Sequence, residues 1–214
     1  MSDSQLSTPE PIPEAESAAT PVRKRPKPGE RRVQILQALA TMLEQPGAER
    51  ITTAALAARL EVSEAALYRH FASKAQMFEG LIEFIEQSVF SLVNQITERE
   101  STGSAQAAKI VAMLLQFAEK NPGMTRVMVG DALVFENERL QQRMNQFFDK
   151  IEATLKQSLR AVGEGDPSAT PSTDAQVKAS MLTSFAVGRL QRFARSGFRR
   201  MPSEHLEASL AQML

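Results

Sequence analysis

The sequence has no cysteine, a single tyrosine and only two histidines in 214 residues. Without thiols there is no disulfide, no thiolate metal site and no thiol nucleophile, which suits a reducing compartment. No apolar run approaches the ~18 residues of a membrane-spanning helix, and the first residues lack the apolar stretch of a signal peptide. A soluble, cytoplasmic chain with no membrane partner is expected. Phosphate loops of the Walker type, G-x-G-x-x-G and H-E-x-x-H are missing, and nothing places a carboxylate pair or a serine beside a base. No catalytic residue, metal or cofactor is therefore assigned, and an enzyme is not expected.

Excess charge of either sign is lacking too: 25 basic residues balance 25 acidic ones. A protein that coats nucleic acid by bulk charge is excluded, but the distribution is uneven. Asp3, Glu10, Glu14 and Glu16 stand without a base in the first twenty residues, whereas "RKRPKPGERR" sets Arg23, Lys24, Arg25, Lys27, Arg31 and Arg32 against Glu30 alone. Such an arm either contributes phosphate contacts through counterion release or serves as a solvated linker. Six of the eleven prolines fall before Gly29, with Ser, Thr, Ala and Glu between them, so residues 1–29 are expected to be a disordered tail.

From Arg31 onward the apolar residues recur at helical spacing. Val33, Ile35, Leu36, Leu39, Ala40 and Leu43 define a first helix, stopped by Pro46-Gly47. Thr52 or Thr53 caps a short second helix and Ser63 a short third one; Ser73 and Gln76 have capping-box spacing ahead of a long fourth helix reaching about Glu100. Further helices are expected over about 104–119, after "NPG" to about Gly130, from about Glu136 to Val162, from a Thr173/Gln176 capping box to Arg195, and from near Ser203. "GEGDPSATPS" reads as a flexible loop. No window alternates apolar and polar residues over a strand length. The expectation is an all-α fold with a helix-turn-helix domain at 30–74, a helical dimerisation and partner-binding domain at 75–214, and a hinge at Ser73.

Three short helices ahead of a long one match the helix-turn-helix arrangement, whose third helix enters the major groove. The turn "RLEVS" has the right length, and the following "EAALYRHF" makes sense as a reading helix. Small side chains at Ala65 and Ala66 admit the bases, and an alanine methyl can pack on a thymine methyl. Leu67 and Phe71, four apart, face inward and leave Tyr68, Arg69 and His70 outward. Hydroxyls and free amides at helix starts suit phosphate, which selects Thr52, Thr53 and Ser63, flanked by Tyr68, His70 and Lys74. Glu64, Ala65 and Arg69 are placed nearer base edges or edge-adjacent phosphates. Against this, Ser63 and Ser73 are also plain helix caps, and His70 could fill a gap beside Phe71. Glu79, Glu83 and Glu86 share a helix face that is either solvated or a docking surface for a basic peptide.

The stretch "ITTAALAARLEVSEAALYRHFASKAQMFEGLIEFIE" resembles the DNA-binding region of TetR-type regulators, whose signature is Tyr-x-His-Phe followed by Ser-Lys. The block "NPGMTRVMVGDALVFENERLQQRMNQFFDKIEA" is similar to the nucleoid occlusion branch of that family, and the likeness runs from about Arg31 to Leu214. The resemblance implies a homodimer that binds palindromic chromosomal sites, with higher-order assembly on DNA left open. It also implies that the DNA-bound form binds the C-terminal tail of the division protein FtsZ and antagonises its polymers, keeping septation off the nucleoid. By the same resemblance Phe84 and Asn121 are candidates for tail binding, and Leu92 stands where a basic residue is expected. Met181, Phe185, Gly188, Leu190 and Phe193 would form the dimer interface, Gly188 allowing close helix approach; the alternative for this stripe is intramolecular core. The alternative is a ligand-responsive TetR-type transcriptional repressor with an effector pocket in the body; it shares the same head.

Overall fold

Side-chain caps set where the helices begin. In the computed structural model, which describes residues 29–45, 50–160 and 172–214, Thr52 Oγ1 accepts from the Ala55 N–H at 3.1 Å, Ser63 Oγ from Ala66 at 3.2 Å, Ser73 Oγ from Gln76 at 3.2 Å and Thr102 Oγ1 from Ala105 at 3.3 Å. Each satisfies an amide that the first helical turn leaves unpaired. The resulting elements are α1 (Glu30–Leu43), α2 (Thr53–Arg59), α3 (Glu64–Tyr68), α4 (Lys74–Arg99), α5 (Gly103–Lys120), α6 (Pro122–Met128), a 3₁₀ turn (Asp131–Leu133), α7 (Glu138–Arg160), α8 (Ser172–Arg195) and α9 (Leu206–Met213). No strand occurs among the described residues. The tail before Gly29, the Pro46-Gly47 stop and residues 163–171 of the expected loop lie outside them.

Two local expectations need correction. Gln76 reaches back to the Ala72 N–H at 2.9 Å, so the box at α4 closes one residue upstream of the ideal pattern. At α8 the Thr173/Gln176 pair is not a capping box: Ser172 and Thr173 are already helical, and the Gln176 amide donates to Glu152 of α7 at 2.8 Å. A tertiary partner has taken the side chain that local spacing had reserved for a cap.

The α2–α3 turn has a specific closure. Val62 N–H donates to Ala57 O at 3.0 Å and Glu61 N–H to Ala58 O at 3.1 Å, with Glu61 in the left-handed region at φ 54°. This is a Schellman termination, and it redirects the chain within two residues. The same device ends α8: Phe198 N–H donates to Phe193 O at 3.0 Å across Gly197 at φ 62°, and the Phe193 and Phe198 rings meet edge-on at 5.1 Å.

α4 carries the head into the body. Its first turns bury Met77, Phe78 and Leu81, and its later turns Val89 and Val93. At 1.5 Å per residue it spans about 39 Å. Buried side chains from α1 to α9 make one connected cluster, and two glycines permit the closest approaches. A Cβ on Gly80 would lie 3.3 Å from both Leu36 and Phe71, and one on Gly123 would lie 1.9 Å from the Ala40 carbonyl oxygen. Thus α6 sits directly on the backbone of α1, and the junction at Ser73–Lys74 is backed by a second, close-packed contact. α7 and α8 run antiparallel, with Gln141, Asn145 and Phe148 sharing a surface depression with Val187 and Gln191.

The acidic face of α4 is neither simply solvated nor free for a basic peptide. Arg139 of α7 pairs with Glu79 at 2.5 Å, and Arg143 binds Glu86 bidentately at 3.3 and 2.6 Å. The Glu86 hydrogen bond holds the Arg143 guanidinium above its ordinary pKa, against the opposing effect of partial burial. Glu83 accepts from Gln87 one turn on, at 3.2 Å.

Candidate nucleic-acid interface

The reading helix is short because its two faces are already committed. Ser63 starts it and His70 N–H closes it on Leu67 O at 2.9 Å. Leu67 and Phe71 are buried, which leaves Glu64, Ala65, Tyr68, Arg69 and His70 exposed along the opposite side and Ala66 partly covered. Arg32 of α1 fixes the end of this unit: its guanidinium donates to His70 O at 2.5 Å and stacks over the Phe71 ring at 4.1 Å. The last arginine of the basic arm is therefore a brace within the head. His70 is outside, not filling a gap beside Phe71.

Thr52 and Thr53 divide their roles. Thr52 caps α2, whereas Thr53 Oγ1 donates to Glu64 Oε2 at 2.6 Å and ties the start of α2 to the start of α3. The two helix starts are thereby held together, and free amides at helix starts suit phosphate oxygens. A carboxylate held at Glu64 can accept from a cytosine amino group and repels a phosphate.

Lys74, the first residue of α4, is engaged elsewhere. Its ammonium forms an ion pair with Glu136, in the segment leading into α7, and lies 5.7 Å from the Phe78 ring centroid. Lys74 and Glu136 line a cleft of about 500 Å³ together with Arg50, Ile51, Thr52, Thr53 and Phe135. The structure thus brings Thr52, Thr53 and Lys74 together, as the sequence suggests, but adds Glu136 and Phe135 from the body. Glu136 is 62 residues from Lys74 in sequence, Phe135 is its chain neighbour, and neither carries a spacing signal that could have found it.

On the body, Phe84 is 47% exposed in the middle of α4, although Leu81, Ile82 and Ile85 around it are buried. Leu92, two turns on, is exposed as well. Asn121 joins α5 to α6 at φ −134° and ψ 65°, and its amide donates to Phe117 O at 2.7 Å, capping α5. Of the residues expected at a dimer interface, Leu190 and Phe193 are buried inside the chain itself, because that flank of α8 faces its own core. Met181 is exposed, Phe185 half-buried beneath Arg189, and Gly188 has open space where a Cβ would stand. These three, with exposed Val177, form the open face of α8.

With this geometry in hand, the relatives are informative. Residues 35–81 match the model for bacterial regulatory proteins of the tetR family, and residues 104–214 that for the tetracyclin repressor-like C-terminal domain of SlmA-like proteins. The nucleoid occlusion factor SlmA of Idiomarina loihiensis is 51% identical over 178 residues, covering 83% of this chain and 90% of that protein. The SlmA of Aliivibrio fischeri is 52% identical over 181 residues, covering 84% and 92%. Among solved structures, a TetR transcriptional regulator from Legionella pneumophila aligns with a TM-score of 0.68 at 16% identity, covering 88% of this chain and 98% of that one, a likeness of fold alone. Among the described residues no helix is long and apolar enough to cross a membrane. The chain belongs to the TetR family, among the DNA-binding nucleoid occlusion factors of the SlmA type.

Proposed function

We propose that this chain pairs through the open face of α8, binds palindromic chromosomal sites with α3 in the major groove, and in that DNA-bound form captures the C-terminal tail of FtsZ. Capture antagonises FtsZ polymers and blocks division over the nucleoid. A two-fold dimer suits a palindrome, since each head reads one half-site. Thr52, Thr53, Ser63, Tyr68, His70 and Lys74 position the backbone; Glu64, Ala65 and Arg69 face base edges. No chemistry is catalysed: the protein works by occupancy, on the chromosome in the cytoplasm.

The observation that carries the tail-binding part is Phe84. A phenylalanine left half in solvent on the open side of α4 offers an apolar anchor for a partner. Leu92 extends it on the same face, eight residues along, so the surface here is more apolar than one with a basic residue at that position. Asn121 supports the reading less directly: its amide is spent on α5, which leaves its carbonyl oxygen to meet a peptide.

Fluorescence anisotropy of a labelled FtsZ tail peptide, with and without a palindromic duplex, tests this. Saturable binding that strengthens with DNA, accompanied by loss of FtsZ light scattering, is the expected result. Intact DNA binding with no peptide binding in either condition would move the protein to the ligand-responsive repressors.

A further inference from the structure

Lys74 stands where a DNA phosphate is expected, at the start of α4 beside the hydroxyls of Thr52 and Thr53, yet its charge is neutralised from the body. The partner carboxylate is fixed: Glu136 donates its backbone N–H to Leu133 O at 3.0 Å, and its side chain is only 9% exposed. One ammonium on one flexible stem cannot serve Glu136 and a phosphate at full strength. A phosphate that draws Lys74 away leaves a largely buried carboxylate without its cation, a state that is strongly disfavoured unless the carboxylate moves. The residues next to it are free to follow, because Val134 and Phe135 are 61% and 66% exposed. Arg50 lines the same cleft.

We infer that Glu136 is a positioning residue that withholds Lys74 from DNA in the free protein, so that phosphate binding at the head and release of the Val134–Glu136 segment of the body are one coupled event. The coupling is reciprocal. Anything that holds Glu136 in its cleft weakens DNA binding, and DNA loosens that segment by the same factor. This rests on the proposed role of Lys74 as a phosphate ligand, and it supplies a physical route by which the body registers that the head is on DNA.

The test uses the full chain as wild type, Lys74→Ala, Glu136→Gln and the double variant, titrated into a labelled random-sequence duplex over a series of salt concentrations. Sequence is immaterial because the contact is to the backbone. Lys74→Ala should weaken binding and lower the salt slope by about one phosphate per head. Glu136→Gln should tighten binding about fivefold or more, and that gain should vanish when Lys74 is already alanine. Glu138→Gln removes the same charge from an exposed neighbouring position and should change little. A gain from Glu136→Gln that survives without Lys74, or that Glu138→Gln matches, would mean bulk charge and overturn the inference. Weaker binding in Glu136→Gln would overturn it as well, since the pair would then be building the DNA-competent head.

An unchanged salt slope in Lys74→Ala would instead remove Lys74 as a phosphate ligand, and the inference with it. A Lys74→Ala defect beside an inert Glu136→Gln would leave the DNA reading standing and the coupling refuted. A second readout needs no variant. Amide exchange at Val134–Glu136 in the wild-type protein should quicken when duplex is added, and unaltered exchange in a DNA-saturated sample would refute the release.

Discussion

In the head, the surface offered to DNA comes from a five-residue helix whose cap, turn and inward residues lie within about a dozen positions of one another, with Arg32 bracing its end from 38 residues upstream. In the body, the exposed Phe84 sits on a 26-residue helix whose other surfaces are set by partners 57 or more residues away: Glu86 by Arg143, Glu79 by Arg139 and Lys74 by Glu136. Local chemistry shapes one surface and tertiary pairing the other. The fold of the head is therefore expected to tolerate loss of the Glu79–Arg139 and Glu86–Arg143 pairs, and the body to tolerate loss of a head cap, except where the two are packed directly together.

That exception gives the largest expected effect. A methyl on Gly123 would stand 1.9 Å from the Ala40 carbonyl oxygen, and neither backbone can yield without parting α6 from α1. Gly123→Ala should cost about 3 kcal/mol in urea unfolding, with DNA affinity falling because the head loses its seat. A wild-type midpoint would show that head and body are joined loosely. Gly188→Ala is the counterpart, since nothing lies within 4 Å of the added carbon in a single chain. Chain stability should hold or rise slightly, while sedimentation should show weaker dimers if this face pairs closely. An undisturbed dimer would exclude Gly188 from the interface.

The bidentate pair ranks next. Glu86→Ala strands Arg143 against α4 and should cost about 1–2 kcal/mol, between an exposed and a buried pair. Glu83→Ala, which leaves that pair in place, should stay within about 0.5 kcal/mol. The pH dependence has a definite sign. The Arg143 pKa is raised on folding, so its contribution is complete below the ordinary arginine value and is lost only as pH rises through the still higher folded value. The penalty of Glu86→Ala should therefore stay constant across the neutral range; a penalty that shrinks there would assign the effect to another group.

Caps come third. Ser63→Ala removes the bond to the Ala66 N–H and should cost about 1 kcal/mol, with weaker DNA binding and no change in the α4–α7 pairs. Equal losses in head and body, read by amide exchange, would erase the distinction between them.

Legibility in the sequence follows the same division. Helix starts at Thr52, Ser63 and Ser73, the inward Leu67 and Phe71, and the outward Tyr68, Arg69 and His70 were all readable, because a cap or a helix face is decided within one or two turns. The cap expected at Thr173 failed because Gln176 has a partner in α7. Leu190 and Phe193 share the helical spacing of the α8 stripe, and periodicity says that a residue is buried but not against which chain. The α4 glutamates looked solvated because their arginines lie in another helix, and Glu136 was invisible as a partner of Lys74 for the same reason. Phe84 could not be separated from its buried neighbours by spacing alone: it shares the helix with Leu81, Ile82 and Ile85, and only packing shows which side α5 and α7 leave uncovered.

Phe84→Ala is accordingly the change expected to matter least to the fold and most to the partner. Truncating a buried phenylalanine costs about 3–5 kcal/mol, and Phe78, buried in the same helix, provides that reference. A side chain already half in water gives up much less, and alanine repays part of it through its helix propensity, so the net change should stay within about 0.5 kcal/mol. Urea midpoints for Phe84→Ala and Phe78→Ala should therefore diverge widely, while DNA affinity for Phe84→Ala stays at the wild-type value because the head is untouched. Anisotropy with the FtsZ tail peptide then isolates the surface itself. Loss of binding in a chain that still folds and still holds DNA would assign the anchor to Phe84, whereas full binding would move the peptide off this stretch of α4.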